Sequence, residues 1–99
     1  MIPLSPATKE RVDALFESDQ ERAEVSRILE TECGDNLPMV EPDWTDLAER
    51  VRFAVLKLSQ GSLPRLRQSL EKAKGDWRDT LMMAGFGHSE RAHLAWHPE

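Results

Sequence analysis

The sequence predicts an all-α protein, a compact bundle of four or five short helices around a single core, with residues 1–99 as one helical domain. Three observations carry this reading. Apolar residues recur at spacings of three and four, as one face of a helix requires. Ser or Asp caps precede these runs, and Gly34, Gly61, Gly75 and Gly85 follow them. No stretch alternates with a period of two, and Tyr is absent, so strands have no support.

The first helix starts at Ser5 as N-cap, with Pro6 at the first helical position, where a missing N–H costs nothing. Val12, Leu15 and Phe16 share its apolar face. Ser18 and Glu21 form a capping box, so a second helix begins near Asp19. It buries Val25, Ile28, Leu29 and Cys33, and Gly34 ends it. Residues 35–42 hold two prolines and no period, so they read as an extended connector and a hinge.

Asp43 caps the third helix. Trp44, Leu47, Val51, Ala54 and Leu58 follow spacings of 3, 4, 3 and 4, the clearest amphipathic signal in the chain. Trp44 and Trp77 are expected at the centre of the core. Ser62 caps a fourth helix built on Leu63, Leu66, Leu70 and Ala73, which Gly75 ends. Asp76 caps a short fifth helix carrying Trp77, Leu81 and Ala84. Beyond Gly85, the sequence supports one weak turn near residues 90–96, or a frayed end.

Composition bounds the function. Charged residues make up 31% and apolar residues 39%, an ordinary mixture for a water-exposed globule. No apolar run reaches the ~20 residues of a membrane span. Residues 1–6 lack the basic start and apolar stretch of a secretory signal, and one cysteine fits a reducing compartment, so the expected location is cytoplasmic. The net charge of −5 argues against a general nucleic-acid coat. That charge is uneven. Residues 1–49 carry 13 acids and 4 bases, whereas residues 50–99 carry 5 acids and 9 bases. Attraction between the two halves explains this with no partner; a basic face for an acidic partner is the sharper alternative.

Candidate chemistry is sparse. Asp76, Arg78 and Asp79 form a charged cluster, but a helix start favours acids for electrostatic reasons alone. His93 and His97 lie four apart, with His88, Cys33 and Glu90 as further potential ligands. Their spacing fits no closed zinc set, so no metal and no cofactor is expected. Cys33 ends a helix, where the dipole disfavours a thiolate. No catalytic constellation is visible, and the chain reads as a non-enzyme.

Two binding readings remain. Phe53 and Leu56 lie off the main stripe of the third helix, and Met82 and Met83 cannot both share the Trp77–Leu81 face. Either the third helix is buried on two sides, or these four residues form an interaction surface rimmed by Arg50, Arg52 and Lys57 for another protein or a second copy of the chain. The alternative is a DNA-binding regulator whose basic helix, residues 63–74, offers Arg65, Arg67, Gln68 and Lys72 to phosphates. A helix-turn-helix pivoting on Gly61 wants a small residue where Lys57 stands and an apolar one where Arg67 stands, which weakens it.

The stretches Cys33-Gly34-Asp35-Asn36-Leu37-Pro38, Arg50-Val51-Arg52-Phe53-Ala54-Val55-Leu56-Lys57-Leu58-Ser59 and Asp76-Trp77-Arg78-Asp79, with Ala84-Gly85-Phe86, give the chain a further feature. In them it resembles small uncharacterised bacterial all-helical proteins. The resemblance implies a bacterial cytosolic protein and carries over no catalytic residue.

Overall fold

The computed structural model describes residues 3–34, 45–89 and 91–98. Four α-helices follow in chain order: α1 (Pro6–Leu15), α2 (Asp19–Glu32), α3 (Thr45–Ser59) and α4 (Leu63–Met83). A 3₁₀ turn (Ala92–Ala95) closes the series, and the described residues include no strand. No helix among them is long and apolar enough to cross a membrane. The expected connector at residues 35–42, the Asp43 cap and the Trp44 core position lie outside the described residues.

The helix starts follow the capping logic. The Ser5 hydroxyl accepts the Thr8 N–H at 3.2 Å, with Pro6 next in line. Ser18 accepts the Glu21 N–H at 3.0 Å, and Ser62 accepts the Arg65 N–H at 3.5 Å. Each cap gives an otherwise orphaned backbone donor a partner. The α3–α4 turn is tight: Gln60 and Gly61 both take left-handed backbone angles, with φ of 52° and 80°. A Cβ on Gly61 would stand 3.0 Å from the Leu15 carbonyl oxygen, so the turn also packs closely against α1.

α3 is the central element. Residues 51–56 run Val, Arg, Phe, Ala, Val, Leu, and all six are buried. Successive helical residues point about 100° apart, so six in a row cover the whole circumference. The helix is therefore enclosed by α1, α4 and the 3₁₀ turn. This decides the first alternative left by the sequence. Phe53 and Leu56 are both 0% exposed and belong to the core. The expected interaction surface cannot be centred on them.

The expected rim is also redirected inward. Arg52 is 2% exposed, and its guanidinium donates to the carbonyls of Cys33 at 2.6 Å and Pro3 at 3.0 Å. Arg50 donates to the Phe86 carbonyl at 3.1 Å. Lys57 donates to the Ala84 carbonyl at 2.8 Å and lies over the Phe86 ring. Each cation ties a chain segment to α3 through backbone oxygen.

Residues 91–98 are docked on the core. Arg11, 5% exposed, donates to the carbonyls of Trp96 at 3.2 Å and Leu94 at 3.4 Å. His93 is 4% exposed, and its ring meets Phe53 edge-on at 4.9 Å between centroids. Phe86 and Trp96 complete this aromatic group. Trp96, not Trp77, supplies the indole beside Phe53. Trp77 is half-buried, with the Arg78 guanidinium over its ring.

α4 is one element by its hydrogen bonds but two by direction. Asp76 takes extended backbone angles, φ −153° and ψ 95°, inside the helical run. Its carboxylate accepts the Arg78 N–H at 3.1 Å, the cap expected for a separate fifth helix. The break thus falls where Gly75 and Asp76 place it in the sequence.

Candidate functional site

The kink has a geometric consequence. A cleft of about 240 Å³ is lined by Leu58 and Gln60 from the end of α3, by Arg65, Gln68, Ser69 and Lys72 from the first part of α4, and by Thr80 and Met83 from beyond the kink. A straight helix would set residues 65 and 83 about 27 Å apart along its axis. They line one small cleft because the chain turns at Asp76 and brings its last turn back toward the first.

The first part of α4 divides cleanly by helical position. Leu66, Leu70 and Ala73 are buried in the core. Arg65, Gln68, Ser69 and Lys72 share an adjoining face through spacings of three and four. Arg67 lies on another side of the helix and donates to Glu24 of α2 at 3.0 Å. The four basic-helix residues named from sequence therefore separate: three line the cleft, and Arg67 joins α4 to α2.

Several other cations have acidic partners. Arg27 meets Glu24 at 2.6 Å, and Lys74 meets Glu32 at 3.0 Å and Glu71 at 3.2 Å. The Arg27 guanidinium holds the Glu24 carboxyl below its ordinary range, and Arg67 adds to the effect. Among the described residues, Arg65 and Lys72 have no carboxylate partner. Arg65 instead donates to the side-chain carbonyl of Gln60, the residue with left-handed backbone angles. No acidic side chain lines the cleft.

Two hydroxyls complete the wall. Thr80 is 1% exposed and donates to the Asp76 carbonyl at 3.4 Å. Ser69 is 9% exposed, and its hydroxyl has no hydrogen-bond partner among the described residues. A helical serine often donates to the carbonyl one turn back; this one leaves its donor to the cleft.

Met83 lines the cleft, and Met82 is the next residue of α4 outside that lining. Met82 is 70% exposed and Met83 is 53% exposed, so the two methionines singled out from sequence stay at the surface while Phe53 and Leu56 do not. Among the described residues, Leu94 is the other large apolar side chain with substantial exposure. The sequence reading missed Gln60, Ser69 and Thr80. Ser69 was within reach, because it falls on the Arg65–Gln68–Lys72 side of the wheel. Thr80 was not, because it joins the site only through the kink.

The remaining candidates have other roles. Cys33 is fully buried, and burial pushes its thiol up to about 12, so it stays protonated and unreactive. Asp76 caps the helix, as expected. His93 is buried, while His88 and His97 are exposed. The described residues contain no group of three His, Cys, Asp or Glu placed to hold a metal ion.

No protein-family model, curated protein or solved structure matches the chain.

Proposed function

We propose that the protein is a protein–protein interaction module whose binding face is the kinked end of α4, with Met82 and Met83 as apolar anchors and Arg65 and Lys72 as the charged part. The partner is an acidic protein segment that also carries an apolar side chain. The observation that carries this reading is that Met83, 53% exposed, lines one cleft with Arg65 and Lys72, two cations without carboxylate partners among the described residues, and that the neighbouring Met82 is 70% exposed. Methionine is flexible and polarisable, so exposed pairs adapt to a partner's apolar side chains. Charge complementarity selects an acidic partner and speeds its approach. A DNA-binding role draws less support, because Arg67 is paired with Glu24 and the other three basic-helix residues line a cleft beside Met83.

The test follows the methionine methyl resonances during titration with an amphipathic peptide of Glu and Leu. The expected result is a saturable shift at Met82 and Met83, lost in Met82→Ser. An unchanged spectrum at saturating peptide would contradict the proposal. Sedimentation over a range of concentrations covers the other occupant. Dimerisation lost in Met82→Ser would assign the face to a second copy in place of an acidic partner.

A further inference from the structure

We infer that the cleft at the α4 kink is an oxyanion-binding site, which seats a carboxylate or phosphate group between Arg65 and Lys72 with the Ser69 hydroxyl as a third donor. Three observations converge. The two cations lack carboxylate partners among the described residues, and the lining contains no acid to compete with a bound anion. Ser69 is more than nine-tenths buried, lines the cleft and has no hydrogen-bond partner there. Its hydroxyl is open to the cleft, where a ligand oxygen can replace water as its partner. Gln60 holds left-handed backbone angles, which are unfavourable for a residue with a Cβ. Its side-chain carbonyl accepts from Arg65, so this turn positions the guanidinium at the cleft.

The chemistry of the lining defines the ligand. Arg65 offers a planar fork suited to two oxygens of one carboxylate or phosphate. Lys72 offers a compact point charge, one helical turn from Gln68 and two from Arg65. Gln68 adds an amide donor, and Ser69 adds a hydroxyl. Leu58 and Met83 supply the apolar wall for a short carbon chain attached to the anion. The cleft is smaller than a typical cofactor site. It fits one acidic side chain or one small phosphate or carboxylate compound.

The inference deepens the interaction reading, since a partner's Glu or Asp is one source of the oxyanion; the other source is a free small anion. The experiment is an amide-resonance titration of the full chain with inorganic phosphate, using sodium chloride at matched ionic strength as reference. The expected result is saturable shifts confined to Arg65, Gln68, Ser69, Lys72 and Thr80. Lys72→Gln and Arg65→Gln should each weaken binding by about tenfold, as loss of one charged hydrogen bond implies. Both positions are exposed, so the variants keep the fold. Ser69→Ala should weaken it by a smaller factor.

Shifts that rise linearly, or that spread equally over Lys9, Arg78 and Arg91, would overturn the inference. So would unchanged phosphate affinity in Lys72→Gln. Competition with the Glu and Leu peptide separates the two sources. If the peptide displaces phosphate, the oxyanion belongs to a protein partner. If phosphate saturates the cleft and the peptide neither competes nor shifts Met82, the site takes a free small anion, and the interaction reading fails while this inference stands.

Discussion

His93 shows what burial does to a single titratable group. Burial pushes its imidazole below the ordinary pKa, against the opposing pull of Glu49, whose Oε2 lies 3.5 Å from Nε2. Arg11 and Arg50 add repulsion for the charged form. The folded state therefore takes up its proton at lower pH than the unfolded chain does. Stability is fully present above about 6.5, the ordinary histidine value, and falls as pH drops through that value toward the folded pKa. Denaturant unfolding between neutral and mildly acidic pH should show this loss, and His93→Gln should flatten it. Phe53 shows the same burial without charge. Phe53→Ala should cost about 3–5 kcal/mol in the same assay, because a wholly enclosed ring leaves a cavity. From the sequence, Phe53 could be placed off the main stripe but not assigned to core or surface. That choice depends on what covers the second side of α3, and the cover comes from Arg11, His93 and Trp96, remote in sequence.

At the scale of elements, local chemistry was legible and direction was not. Ser5, Ser18 and Ser62 cap where they were expected to, because a cap needs only its own turn. The Asp76 break was equally readable. The angle of that break was not, and neither was the cleft it creates, since both depend on packing of the last turn of α4. Asp76→Ala should cost about 0.5–2 kcal/mol in thermal unfolding and should shift the amides of Thr80 and Met83 as the cleft changes shape. Gly61→Ala should also destabilise, by more than about 1 kcal/mol, because its φ of 80° and the nearby Leu15 carbonyl both oppose a side chain. Equal stability of that variant and the wild type would show that the α3–α4 turn is looser than described. Of the turn and the frayed end that the sequence allowed after Gly85, the structure has the turn, for a physical reason. At four residues it is too short to hold by itself and is fixed by Arg11 and by the Phe53 ring.

The whole molecule explains its uneven charge by folding the two halves together. Arg67 reaches Glu24, Lys74 reaches Glu32, and His93 lies against Glu49, each pair crossing from the basic half to the acidic half. The solvent-accessible Arg67–Glu24 and Lys74–Glu32 pairs contribute little stability, about 0–1 kcal/mol each. Their consequence is positional, because they leave Arg65 and Lys72 as cations directed to a cleft and not to a neighbouring helix. The apolar residues divide in the same way. Residues 51–56 of α3 are covered on every side, and the exposed methionines stand at the end of α4. Binding should therefore depend on Met82 and Met83 and not on Phe53 and Leu56. The most direct measurement compares two variants for stability and for affinity toward the acidic peptide. Met82→Ser should unfold within about 0.5 kcal/mol of wild type, as exposed substitutions do, and lose binding. Phe53→Glu should fail to fold. A folded Phe53→Glu that loses binding, beside a Met82→Ser that retains it, would return the interface to α3 and contradict the account.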